Sequence, residues 1–326
     1  MTKDTVLKIE HLKLDLISVQ GMIHAVRDIN LDVHKGQIHG IVGESGCGKT
    51  MTARSILRLH DEKKTFGQGK ITYYGETDEK DILNLKMPEM YKIRGKEISM
   101  IFQDPITTLN PLLTVGEQIS ETLRTHLKLS KQDAKDRAIE LLESVGIRPG
   151  QVRYRQYPFE FSGGMLQRAI IAMAISCNPR LLIADEPTTA LDVTMQAQVL
   201  DLLLELRERT QMSMIIITHN FGVVAEVCDK VSVMYAGKIV ETGDVAEIFH
   251  NPRHPYTRDL IASIPRSGEE EKKLVTIPGF PPLLNQEIKG CAYAPRCKYA
   301  TKECREKNPM LRAAQGEHLF ACHCDL

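Results

Sequence analysis

The chain has 326 residues, with 42 basic and 42 acidic side chains and a hydrophobic share of 42%. That length suits one large domain plus an appendage, and the balanced charge steers it toward neither nucleic acid nor anionic lipid. The longest apolar stretch, residues 169–177, is far short of the ~20 residues a spanning helix needs. Residues 1–4 open no signal peptide, because Asp4 and Lys8 interrupt any apolar run. The expectation is a cytosolic protein that reaches a membrane only through partners.

Residues 7–16 alternate apolar and polar side chains at period two, as a half-buried strand does. Gln20-Gly21 marks a turn, and residues 25–33 resume the strand pattern. An apolar run at 38–42 precedes a glycine-rich loop, which predicts a buried strand of an α/β sheet; residues 50–59 then predict a helix. A second apolar run spans 98–102. Residues 130–145 form an amphipathic helix pattern with Ser130 as N-cap and Gly146 as its stop. Helix over 196–209, strand over 212–218, and two strands flanking the tight turn Ala236-Gly237 follow. Alternating strands and helices predict a mostly parallel sheet covered on both faces, with a helical subdomain over about 104–165 set aside from it. Near Asn251-Pro252 the composition shifts, and Pro265, Pro278, Pro281 and Pro282 mark a loop-rich unit. The expected division is 1–250 and 251–326.

Gly43-Glu44-Ser45-Gly46-Cys47-Gly48-Lys49-Thr50 fits the phosphate-loop pattern in full. Its glycines let backbone N–H groups point at phosphate oxygens, and the following helix adds its N-terminal dipole. Lys49 would reach the β- and γ-phosphates of ATP, and Thr50 would bind Mg²⁺. Asp185-Glu186 closes an apolar run, placing two carboxylates at the carboxyl end of a central strand, where ligands of open α/β sheets bind. Asp185 would hold Mg²⁺ through water. Glu186 is the candidate general base for the attacking water. Alone, this pair would read as the acidic N-cap of a following segment; beside a phosphate loop it does not.

The segments Phe161-Ser162-Gly163-Gly164-Met165-Leu166-Gln167-Arg168, Leu181-Leu182-Ile183-Ala184-Asp185-Glu186-Pro187 and Ala190-Leu191-Asp192 resemble the signature, Walker B and D-loop of the ATP-binding cassette (ABC) ATPases. The implied fold is α/β: a P-loop NTPase of ABC type, with a mostly parallel core, an antiparallel β subdomain, a helical subdomain and a cysteine-containing C-terminal extension. The resemblance makes Gln103 a γ-phosphate sensor and Mg²⁺ ligand, and His219 the switch histidine that orients the base. It assigns Ser162, Gly163, Gly164 and Asp192 to an ATP held by a second subunit; a helix start capped by Ser162 is compatible with that role. Two positions depart from the pattern. The signature ends in Met165 where Gln is usual. No aromatic residue precedes Phe66, so adenine would meet Leu16 or Ile23 in place of a ring.

Gly40-Ile41-Val42-Gly43-Glu44-Ser45-Gly46, Phe102-Gln103-Asp104-Pro105 with Leu109-Asn110-Pro111, and Thr188-Thr189-Ala190-Leu191-Asp192-Val193-Thr194 are similar to the ATP-binding subunits of dipeptide and oligopeptide importers. So are His254-Pro255-Tyr256-Thr257 and Ile277-Pro278-Gly279 with Pro281-Pro282. This implies an import complex at the cytoplasmic face of the cell membrane. Its members would be two membrane-spanning permease subunits, a second ATPase subunit (a related paralogue, or an identical copy) and an extracytoplasmic peptide-binding protein. Cys291, Cys297, Cys304 and Cys322 match a cysteine pattern that in some family members holds a 4Fe–4S cluster. By chemistry alone four thiolates also suit tetrahedral zinc, and Cys324 competes with Cys322 as fourth ligand. An importer of another solute, oligosaccharide or metal chelate, stays open because this subunit never touches cargo. A soluble ABC ATPase of DNA maintenance is the remaining rival. The short insertion and neutral charge argue against it, and no nucleic-acid partner is expected.

Overall fold

The alternating N-terminal segments pair with each other, because each buries one face and leaves the other wet. β1 (Thr5–Ser18) and β2 (Gly21–His34) form a long antiparallel hairpin whose Leu7, Ile9, Leu12 and Val33 are fully buried. The computed structural model describes residues 5–19, 21–189, 191–264 and 276–325. Gln20, Ala190, Pro265 and residues 1–4, which entered the readings above, lie outside the described residues.

β3 (Ile38–Val42) is buried at all five positions, as a strand covered on both faces must be. It runs into α1 (Lys49–Ile56). That helix stops earlier than its pattern predicts, because Arg58 sits in the left-handed region at φ 48°. β4 (Thr65–Tyr74) pairs antiparallel with β1, and β5 (Glu79–Asp81) pairs with β4. The first half of β4 is exposed and holds two glycines, and pairing with β1 supplies its order. These four strands make one antiparallel sheet, β2-β1-β4-β5.

After α2 (Met87–Ile93) and β6 (Ile98–Ile101) comes the helical insertion: α3 (Pro105–Thr108), α4 (Val115–Leu127), α5 (Lys131–Ser144) and α6 (Gly150–Tyr154). Ser130 caps α5 by accepting from the Asp133 N–H at 3.1 Å, and Gly146, at φ 83°, lets the chain leave. α4 and α5 lie against α7 (Gly163–Ile175), and α7 rests on β6. The insertion is thus joined to the sheet through one helix.

β7 (Leu181–Asp185), α8 (Val193–Thr210), β8 (Ser213–Thr218), α9 (Phe221–Val227), β9 (Lys230–Tyr235) and β10 (Lys238–Asp244) complete the alternating region. Ala236 and Gly237 both take positive φ, 48° and 78°, the geometry a two-residue hairpin turn requires. β9, β3, β8, β7 and β6 are parallel neighbours in that order.

The last part of the chain supplies α10 (Val245–His250), α11 (Pro255–Ala262), α12 (Lys302–Glu306), β11 (Arg312–Gln315) and β12 (His318–Phe320). β12 pairs antiparallel with β10, through Glu241↔Phe320 and Thr242↔Leu319, and β11 pairs with β12. Among the described residues the main sheet therefore has eight strands, and the C-terminal β12 and β11 extend it beyond β10. A separate cluster of Val42, Val231, Val233, Tyr235, Tyr256 and Tyr293 joins the two regions in one core. Among the described residues no helix is long and apolar enough to cross a membrane.

Candidate functional site

The phosphate loop lies between β3 and α1 at the carboxyl end of the parallel strands. A Cβ at Gly43 would collide with the Met234 carbonyl, and Gly48 holds φ 104° with its Cα facing the Ala25 carbonyl, so both positions need glycine. Lys49 is buried, and its ammonium donates back to the Gly43 and Glu44 carbonyls at 2.7 and 3.0 Å. Gly46 and Ser45 lie at the open side of the loop, where a Cβ on Gly46 meets nothing. Cys47 is buried, which pushes its thiol up.

The Thr50 hydroxyl donates to Asp185 at 3.1 Å. Asp185 is 2% exposed; burial first, then the neighbouring Glu186 charge, raise its carboxyl above the ordinary range against the Thr50 hydrogen bond. Such a site favours added positive charge. Its oxygen donors are those Mg²⁺ prefers, so Thr50 and Asp185 fit the metal.

Glu186 is the hub. Its φ of 50° is rare for a side chain of this size, and a backbone bond from its N–H to the Ile217 carbonyl holds it there. Gln103 Nε2 donates to one carboxylate oxygen at 2.9 Å, the Thr189 hydroxyl donates to the same oxygen at 2.8 Å, and His219 Nδ1 lies 3.3 Å from the other. Burial pushes this carboxyl up, but the bonds from Thr189 and His219 and the Lys49 charge outweigh it, leaving it below its ordinary value. It is an ionised carboxylate whose orientation is set from three sides. In the sequence Thr189 is only part of the segment 188–194; its bond to Glu186 across the turn is seen in the structure alone.

Ser162 caps α7, its hydroxyl accepting from the Met165 N–H at 3.4 Å. Asp192 caps α8 the same way, accepting from Met195 N–H at 2.9 Å. The two turns meet through Met195, whose side chain fills the space a Cβ on Gly164 would take. Gly163 faces open space. The hydrogen bonds of Ser162 stay within α7, while those around Glu186 gather Gln103, Thr189 and His219, so the segment 161–192 divides into two places. Leu16 and Ile23 face each other in register across β1 and β2.

The tail cysteines correct an expectation. Cys291, Cys297, Cys304, Cys322 and Cys324 border one small pocket. Yet among the described residues no three His, Cys, Asp or Glu side chains are placed to hold a metal ion. Neither the iron–sulfur cluster nor zinc fits Cys291, Cys297, Cys304 and Cys322. Two of the sulfurs meet protein groups: Cys304 Sγ is 3.3 Å from the Thr301 hydroxyl, and Cys322 Sγ accepts from the Cys324 N–H. Burial pushes the thiols of Cys291 and Cys297 up, and that of Cys322 to about 11.

The family model described as ABC transporter matches residues 26–189, and that described as Oligopeptide/dipeptide transporter, C-terminal region, matches residues 240–304. The chain is 51% identical over 316 residues to the oligopeptide transport ATP-binding protein OppD of Bacillus subtilis (strain 168), spanning 96% of this chain and 87% of that protein. It is 47% identical over 330 residues to a putative peptide import ATP-binding protein of Brucella abortus (strain 2308), spanning 99% and 98%. The dipeptide transport ATP-binding protein DppD of Lactococcus lactis subsp. cremoris (strain MG1363) is 46% identical, spanning 95% and 88%. Among solved structures, the dimeric ATP-binding cassette MJ0796, in a post-hydrolysis state bound to ADP and Pi, superposes with a TM-score of 0.64 at 26% identity, covering 73% of this chain and 98% of that one. From phosphate loop to C-terminal region, this chain belongs to the ABC transporter family as an ATPase, among the ATP-binding proteins of oligopeptide and dipeptide transport.

Proposed function

We propose that this chain is the ATP-hydrolysing subunit that energises import of di- or oligopeptides. The observation that carries the reading is the three-sided hold on Glu186 beside the Thr50–Asp185 pair. Residues 43–50 bind the phosphates of ATP, with Lys49 leaving the loop carbonyls for the β- and γ-oxygens. Thr50, Asp185 and the Gln103 amide oxygen would hold Mg²⁺, which when bound would neutralise charge on the phosphates. Glu186 takes the proton of the attacking water, and His219 and Gln103 keep its carboxylate aimed. The lowered Glu186 carboxyl is deprotonated down to pH values below its ordinary 4.5. The acid limb of turnover therefore lies below that value, and Thr189→Ala, which removes a bond to the charged form, is expected to move the limb upward. A pH profile with the limb unmoved would remove Thr189 from the base's support.

Ser162, Gly163, Gly164 and Asp192 serve the ATP of a second ATPase subunit, a related paralogue or another copy. The open space before Gly163 supports this. Gly163→Asp puts a negative side chain into that space without an internal clash. It is expected to leave stability and ATP binding by the separate chain unchanged, and to cut turnover by the assembled complex by about two orders of magnitude. Equal turnover would refute the contact in trans.

Residues 1–250 form the ATPase domain in this reading, and 251–326 an extension. The complex contains two membrane-spanning permease subunits and receives cargo from an extracytoplasmic peptide-binding protein, with this chain peripheral at the cytoplasmic face. Peptide cargo is carried by the names of the relatives and the match at 240–304. Uptake of labelled di- and oligopeptides by the complex in vesicles, with ATP inside, tests it. Uptake of an oligosaccharide or metal chelate in their place would overturn it.

A further inference from the structure

Glu44 is an acidic residue inside a loop whose task is to bind a polyanion. A free carboxylate there would repel the triphosphate. The structure answers this from the far end of the chain. Arg296 Nη1 donates to Glu44 Oε2 at 2.8 Å, and the Arg296 side chain is only 6% exposed. The guanidinium is fixed by the Pro278 carbonyl at 2.8 Å and the Tyr235 hydroxyl at 3.3 Å. It also lies over the rings of Tyr235 and Tyr293 at 5.9 and 5.8 Å. The same residue is held a second time through its backbone: the Glu44 N–H donates to the hydroxyl of Tyr256, a fully buried side chain, at 2.9 Å. The Glu44 carbonyl in turn accepts from Lys49 Nζ at 3.0 Å. The Gly43 carbonyl, which shares a peptide with the Glu44 N–H, also accepts from Lys49 Nζ, at 2.7 Å, so Glu44 links the C-terminal region to the phosphate-binding lysine.

We infer that Arg296 and Tyr256 are positioning residues for ATP binding: Arg296 neutralises Glu44, Tyr256 orients its peptide, and together they place residues 251–326 in control of the phosphate loop. This rests on the reading of residues 43–50 as the ATP site. Neither residue touches the nucleotide; both act through Glu44. Because the loop is held ready before ATP arrives, their contribution falls on affinity more than on the chemical step.

The test is calorimetric titration of the full chain with ATP and Mg²⁺, with KM and kcat measured in the assembled complex and unfolding profiles for every variant. Arg296→Ala is expected to weaken ATP about tenfold, the scale of one lost hydrogen bond to a charged group, and to raise KM with kcat nearly unchanged. Adding Glu44→Gln to that variant removes the unpaired carboxylate and is expected to recover most of the loss. A role in folding alone predicts no such rescue. Tyr256→Phe keeps the ring and loses only the hydroxyl; it is expected to weaken ATP about threefold. ATP affinity equal to wild type in Arg296→Ala, or a loss undiminished by Glu44→Gln, overturns the inference. If Arg296→Ala does not fold, Tyr256→Phe decides alone, and wild-type affinity there overturns it. Failure of the wild-type chain to bind ATP would instead sink the proposed function.

Discussion

Glu186→Gln is expected to lower ATP turnover by the assembled complex by about 10²–10⁴-fold, the range a general base contributes, while ATP remains bound. The amide keeps the size and most hydrogen-bonding geometry of the carboxylate but takes no proton from water. The Gln103 and Thr189 donors still find an oxygen, so the loop keeps its shape and its positive φ. The variant should therefore accumulate with unhydrolysed ATP, and the ATPase dimer should stay closed around it. Turnover at the wild-type rate in the complex would end the assignment of Glu186 as base. A weakened ATP affinity with proportional loss of rate would place Glu186 in binding instead.

The second large effect concerns stability and lies far from the phosphates. Glu241 is fully buried on β10 and accepts from the Arg253 and His254 N–H groups at 2.6 and 2.9 Å, with His318 Nε2 2.8 Å from the same carboxylate. His318 opens β12 and is itself 3% exposed. Glu241→Ala leaves two backbone donors and a buried imidazole without their acceptor. Breaking a buried pair in this way costs about 3–5 kcal/mol, so the urea midpoint should fall steeply. Glu241→Gln, which retains one acceptor oxygen and the packing, should cost clearly less. An Ala variant as stable as wild type, or a Gln variant equally damaged, would show that Glu241 does not hold the C-terminal strands. Because Glu241 anchors His254, two residues before Tyr256, this variant should also loosen the hold on Glu44.

The repeating parts of the fold were legible in the residues. Period-two alternation marked β1 and β2, and unbroken apolar runs marked β3, β7 and β8. Ser130 with Gly146 bounded α5 to within a residue. Three later strands were not legible: β4 is ordered by its pairing with β1, β12 by its pairing with β10, and β11 by its pairing with β12. No local pattern records a distant partner, such as Thr65 for Leu16 or Phe320 for Glu241. In the site, Gly43–Thr50, Gln103, Asp185, Glu186 and His219 were each visible as types at the ends of apolar runs. Thr189 was visible only as part of a motif. Arg296 was only the neighbour of a cysteine, although 252 residues separate it from the Glu44 it meets.

By itself the sequence determined what this chain binds and the class of work it does. Phosphate recognition is built from consecutive residues: glycines that free the backbone, a lysine, a hydroxyl and paired carboxylates at strand ends. Their order along the chain is the signal. Tertiary structure decided the rest. It divided 161–192 between a site around Glu186 and a capped, outward turn at Ser162. It gathered the tail cysteines at one small pocket, yet among the described residues no three side chains there are placed to hold a metal ion. It also brought Arg296 and Tyr256 onto the phosphate loop. These depend on contacts between distant segments, which form only once the sheet has brought them together.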